Sequence, residues 1–283
     1  MLTETGESIR GGIPALNKLD RATRRGLPGS TMTMTMWRSL LTGTLLLGLS
    51  ACGGKSTPPE VEPSVCEAPT EAKVSGFTQC GPTSDLTPVN SYQGEFALLQ
   101  ETEGAVVLLD GRCTGTLIAA SAGPVVLTAG HCVGLGDRSL AVFNFEDQPD
   151  GEELITEGTV IEQAMEPDYA LIQFDVLPAG IAPLLLTTRS SERLAVIQHP
   201  RGRPKVIAEG NYLDSCNRLV YYKDLDTLVG TSGAGVLNRQ GHVLGVHTDG
   251  DCDASGKGAN RGWTAEAIVE ASEYLQAVDI ADR

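Results

Sequence analysis

The stretch CTGTLIAASAGPVVLTAGHC, residues 113–132, decides how the rest of the chain is read. It holds two strand-length apolar runs, TGTLIAA and PVVLTAG, parted by Ser121, Ala122 and Gly123. Short apolar runs bounded by turn residues read as β-strands. A cysteine stands at each end. A disulfide between Cys113 and Cys132 would tie the two strands and hold the turn carrying His131 rigid. A lone histidine is more often structural than chemical, so His131 needs partners elsewhere.

Working outward, the same pattern repeats. GAVVLLDG (104–111), LAVFNF (140–145), YALIQF (169–174), RLAVIQ (193–198), GAGVLN (233–238) and GHVLGVHT (241–248) are each strand-length, and Gly, Asp or Asn bounds most of them. With 33 glycines and 5% aromatic residues, the composition suits a turn-rich β protein better than a helical bundle. Strands at regular spacing, with little helical pattern between, predict antiparallel barrels or sandwiches. One helix is expected at the end, over 264–278. There Ile268, Ala271, Leu275 and Val278 share a face, with Glu266, Glu270 and Glu273 elsewhere.

The 283 residues suffice for one large domain or two small ones. The formal charge of −15 repels phosphate backbones and argues against a nucleic-acid partner. From Met36, the run MWRSLLTGTLLLGLSAC carries one positive charge, Arg38, and then an apolar stretch too short to span a bilayer. It reads as a secretory signal peptide. Its ending, Leu49-Ser50-Ala51-Cys52, resembles a bacterial lipobox, which implies cleavage before Cys52 and a lipid on that cysteine. Residues 1–35 are basic and lack an apolar core, as a start site placed too far upstream would give. Removing residues 1–51 takes six basic and three acidic residues and leaves a formal charge of −18. Residues 53–65 are rich in Gly, Pro, Ser and Glu and read as a solvated tether. Six cysteines remain after Cys52, which in an exported chain implies disulfides, with 15 possible pairings. No C-x-x-C pair argues for a structural metal, and no cofactor is implied.

Given Cys113 and Cys132, LTAGHC and the preceding C-x-G-T-L-I strand closely resemble the histidine signature of trypsin-like serine peptidases. The resemblance implies an all-β fold of two six-stranded antiparallel barrels, about 91–178 and 183–262, followed by the helix. Residues 52–90 would be a lipid-anchored linker with a small disulfide loop. It also implies an aspartate and a serine, in that order along the chain. DYALI at 168–172 supplies Asp168, and GTSG at 230–233 supplies Ser232. Asp175 is a rival, but it ends its strand rather than starting it. Asp168 would orient His131, and His131 would activate Ser232. The backbone amides of Gly230 and Ser232 would form the oxyanion hole. Thr231 stands where digestive members carry the aspartate that pairs with a freed N-terminus. Gly235 replaces the family's usual proline, which would loosen the strand after Ser232.

The chain is also similar to the bacterial glutamyl-endopeptidase branch, which its IQHPRGRPKVIAEG hairpin (197–210) fits. There His199 reads as structural, and Arg201, Arg203 and Lys205 as lining a solvated hairpin. Two readings of the specificity pocket stay open. Thr227 and His247 match residues that bind an acidic side chain, the imidazole being partly protonated. Asp226 matches the aspartate that binds Lys or Arg. Thr248, Asp249 and Gly250 would form the edge on which a substrate adds as a strand. Cys216 and Cys252 flank the nucleophile and would brace the pocket wall, leaving Cys66 to pair with Cys80. The implied protein is a monomeric endopeptidase acting on peptides or proteins. It would be exported and held to the cell envelope by its lipid, or secreted. Gly53 after the lipid cysteine leans toward an outer membrane. The alternative from another class is a catalytically inactive binding module on the same fold.

Overall fold

A computed structural model describes residues 65–67, 77–96 and 98–281. The expected signal peptide, the expected lipid site at Cys52 and the expected tether through residue 64 lie outside them. The described residues all fall in one compact unit, 59–283.

Two short strands come first, β1 (Phe77–Thr78) and β2 (Thr87–Pro88). A single turn, α1 (Leu99–Thr102), leads into the first barrel. That barrel uses β3 (Val106–Leu109), β4 (Cys113–Ile118), β5 (Val125–Thr128), β6 (Arg138–Phe143), β7 (Leu154–Met165) and β8 (Asp168–Phe174). All pairings are antiparallel, and the barrel closes in the order β3-β4-β5-β8-β7-β6. The runs VVLL and VVLT of β3 and β5 are buried throughout. In β6, Ser139, Ala141 and Phe143 are buried while Arg138 and Leu140 are exposed, the two-residue period of a strand with one wet face.

The second barrel follows with β9 (Arg193–Gln198), β10 (Val206–Cys216), β11 (Leu219–Lys223), β12 (Thr227–Leu228), β13 (Gly235–Leu237), β14 (Val243–Asp249) and β15 (Asn260–Thr264). Six of them run in the order β11-β15-β14-β13-β9-β10, and β10 pairs back onto β11 to close the ring. Leu194, Val196, Ala208, Val220, Tyr222 and Leu244 fill its interior. The expected two six-stranded barrels are therefore present.

Residues 77–90 are not a linker, because β1 pairs with β12 and β2 pairs with β10. That course also redraws two disulfides. Cys113–Cys132 forms as expected, but the others are Cys66–Cys216 and Cys80–Cys252, replacing the expected Cys66–Cys80 and Cys216–Cys252. The segment runs along the second barrel instead of closing on itself. Cys80 then meets the loop after β14, and Cys66 meets the end of β10.

The C-terminal helix, α2 (Ala265–Ala271), is shorter than expected. Its start is capped by the Thr264 hydroxyl, which accepts from the Ala267 amide. Beyond Ser272 the amides find other acceptors. Glu162 of β7 accepts from Glu273 and Tyr274, and Ser272 Oγ accepts from Tyr274 and Leu275. These bonds compete with the helical ladder and end it. Leu275 is buried, while Val278 is 76% exposed and takes no part in the core.

Candidate active site

β5 delivers the chain into one tight turn, Gly130–Cys132, that carries His131. A Cβ at Gly130 would lie 2.0 Å from the Ala164 carbonyl oxygen, so glycine is required for this close approach. Asp168 opens β8 and grips His131 twice. Its Oδ2 lies 2.6 Å from ring Nδ1, and its Oδ1 accepts the His131 amide at 2.9 Å. The hydrogen bond to Asp168 raises the ring above the ordinary histidine pKa, against an opposing effect of burial. That is the only hydrogen bond of the His131 ring among the described residues. The rival Asp175 is instead paired with Arg138 on the surface.

Ser232 lies half-buried between β12 and β13. The barrels meet here: the Thr114 amide of β4 donates to the Ser232 carbonyl at 2.9 Å. Gly230 has φ +97°, and a Cβ there would lie 2.6 Å from the Arg201 amide nitrogen. This is a backbone position that only glycine fills without strain. Among the described residues, no acceptor takes the amide of Gly230 or of Ser232.

The strand after Ser232 is not loose. The Gly235 amide donates to Thr116 Oγ1 at 3.0 Å, and the His247 amide donates to the Ala234 carbonyl at 2.9 Å. A proline at 235 would have no N–H for the first of these bonds.

The residues expected in the specificity pocket lie beside this loop. Asp226 is buried, and both its carboxylate oxygens are engaged by the N-terminal segment. Oδ1 accepts from Cys80 N at 2.7 Å and Oδ2 from Asp85 N at 3.2 Å. Asp226 N in turn donates to Asp85 Oδ1. Burial pushes the Asp85 carboxyl up to about 7, with the charge of Asp226 and a shared hydrogen bond adding to it. Thr227 is buried, with its backbone in register with Thr78.

His247 is buried, and its Nδ1 lies 2.5 Å from the Tyr222 hydroxyl. Burial pushes the ring down to about 3, with His131 adding to the effect. The expected partly protonated imidazole is thus a neutral one. A phenol donating to Nδ1 would leave the remaining ring proton on Nε2. Thr248 Oγ1 donates to Asp249 Oδ2, which also lies 3.4 Å from Arg261 Nε. Beyond His247, no strand pairs with β14 on its β13 side among the described residues.

The hairpin after β9 is only partly solvated. His199 is buried and pushed down to about 3 by burial, with Lys205 adding. Lys205 is fully buried, its Nζ 2.5 Å from Glu103 and 2.8 Å from Glu146. The expected solvated lysine is thus part of the interior, because two carboxylates of the first barrel meet it there. Sequence reasoning missed Asp85, Thr114, Gln198, Tyr222 and Arg261. Thr114 and Gln198 lie inside stretches quoted for other residues, and the partners that give these side chains their roles stand elsewhere in the chain.

The profile of the trypsin-like peptidase domain matches residues 113–246. In fold the chain is similar to the active form of the Rv3671c protease from M. tuberculosis. The TM-score is 0.51 and the identity 19%, covering 70% of this chain and 91% of that one. It is also similar to a serine endoprotease from Yersinia pestis, with TM-score 0.50 and 13% identity, covering 63% of this chain and 65% of that one. The chain therefore spans just under two thirds of the Yersinia protein. A comparison with curated proteins finds no match. The part of the chain that resembles the trypsin-like peptidase domain, residues 113–246, thus lies within a two-barrel fold.

Proposed function

We propose that the chain is a serine endopeptidase in which His131, Asp168 and Ser232 form the reacting triad. The observation that carries this reading is the two-point hold of Asp168 on His131. A carboxylate on Nδ1 fixes the tautomer that leaves Nε2 to accept a proton. His131 takes the Ser232 proton as Oγ adds to the scissile carbonyl, then returns it to the leaving amine. The amides of Gly230 and Ser232 hold the oxyanion. Water then releases the acyl group by the same steps. A fluorophosphonate probe tests this: it labels the wild-type chain and not Ser232→Ala. Failure to label folded protein near pH 8 would favour the inactive binding module.

For specificity we propose cleavage after Glu or Asp. Both oxygens of Asp226 are already held by amides, which favours this reading over Lys or Arg. Neutral His247 offers an Nε2–H donor, and Thr227 a hydroxyl. Cleavage of a peptide library by residues 52–283 decides the matter, and dominant cutting after Lys or Arg sinks the acidic reading. We further propose export and a lipid on Cys52, tested by fatty-acid labelling that is lost in Cys52→Ser.

A further inference from the structure

Two backbone amides can face one oxyanion only if the carbonyls of their own peptide units point the other way. The Gly230 amide shares a peptide with the Val229 carbonyl, which accepts from the Arg201 amide at 2.5 Å. The Ser232 amide shares one with the Thr231 carbonyl, which accepts from Ala234 at 2.9 Å. Both carbonyls are thus taken up, and both N–H groups are left without an acceptor among the described residues.

Two fully buried neutral side chains hold the loop in that shape. Gln198, the last residue of β9, donates from Nε2 to the Asp226 carbonyl at 2.9 Å and accepts the Thr231 hydroxyl on Oε1. One amide group therefore spans the loop from its first residue to the residue before Ser232. Thr114 of β4 donates from Oγ1 to the Gly230 carbonyl at 2.8 Å and accepts the His199 amide at 3.0 Å. Gln198, Thr114 and Thr231 have no exposed surface, so breaking these bonds leaves buried polar groups unsatisfied. Among the described residues, no charged side chain and no chain terminus takes part in these bonds.

We propose that Gln198 and Thr114 are positioning residues that hold the oxyanion-binding amides in place, so that the domain is competent as folded, without an ammonium freed by processing. The proposal rests on the serine peptidase reading.

The test compares Gln198→Leu, Thr231→Val and Thr231→Ser in the full chain, by steady-state kinetics and by hydrogen exchange of residues 226–234. Losing one oxyanion donor costs about 10²–10³ in kcat. Gln198→Leu and Thr231→Val should lose at least about tenfold in kcat, with KM within about threefold, because the displaced amides act in the transition state. Thr231→Ser, which keeps the hydroxyl, should stay within about threefold of wild type. Exchange at 226–234 should rise in the first two variants and stay unchanged in β3–β8. A folded Gln198→Leu with wild-type kcat overturns the proposal, as do equal losses in Thr231→Val and Thr231→Ser. If Gln198→Leu does not fold, the Thr231 pair decides. An inactive wild type sinks the peptidase reading instead. Exchange then still judges the brace, and unchanged exchange at 226–234 in Thr231→Val overturns it.

Discussion

Asp168 gives both carboxylate oxygens to one residue, and two consequences follow for catalysis. The acid limb of kcat/KM should lie above the ordinary histidine pKa of 6.5, because the hydrogen bond to Asp168 favours protonated His131. Asp168→Asn should move that limb down and cost about 10⁴-fold in kcat through the wrong tautomer. A pH–rate profile of the two proteins checks both. Asp85 answers to a different readout. Its folded pKa is raised to about 7, so the stability it contributes is present at acid pH and lost as pH rises through about 7. Asp85→Asn cannot ionise and avoids that loss. The melting temperature of the variant, relative to wild type, should therefore rise from pH 5.5 to 8.5, and a difference independent of pH would contradict this. The pairing of His131 with Asp168 was legible in the sequence because each sits in a local motif. The setting of Asp226 was not legible, since its partner Asp85 stands 141 positions earlier.

Elements were legible to the degree that they are apolar. β3, β5 and β9 are nearly continuous hydrophobic runs and stand out in the sequence. β7 alternates between wet and packed faces over twelve residues and carries a bulge between Val160 and Glu162, which breaks its period. The helix was read too long for a tertiary reason, as the acceptor that captures its last amides comes from β7. β13 shows how a familiar motif can mislead. Gly235 looks like a weakening of the strand, yet its amide is bonded to Thr116. Gly235→Pro should therefore destabilise the protein by about 1 kcal/mol or more, from the lost bond and the orphaned hydroxyl. Chemical denaturation measures it, and a stabilised variant would mean that the proline form suits this loop better.

At the scale of the whole molecule, the barrels are joined through a buried cluster. Lys205 leads into β10 of the second barrel, Glu103 precedes β3, and Glu146 follows β6. Burial pushes Glu103 up to about 7, against the pull of Lys205. Burial would also raise Glu146, but its hydrogen bond with Glu103 and the charge of Lys205 outweigh that and hold it below its ordinary value. Removing a partner from a buried ion pair costs about 3–5 kcal/mol. Lys205→Met should lose about that much in a denaturant titration, and a loss under about 1 kcal/mol would show that the cluster relaxes to solvent. Glu103→Gln, which mimics the protonated carboxyl, should cost much less.

The two long disulfides give the molecule a covalent topology that tolerates a cut backbone. Cys66–Cys216 and Cys80–Cys252 enclose overlapping stretches of 150 and 172 positions. Any single nick between residues 66 and 252 therefore falls inside at least one closed loop, and both fragments stay tied together. A nicked chain should run as one band on a gel without reductant and as two bands with it. Proteolysis has to cut at least twice before a piece of this region is shed.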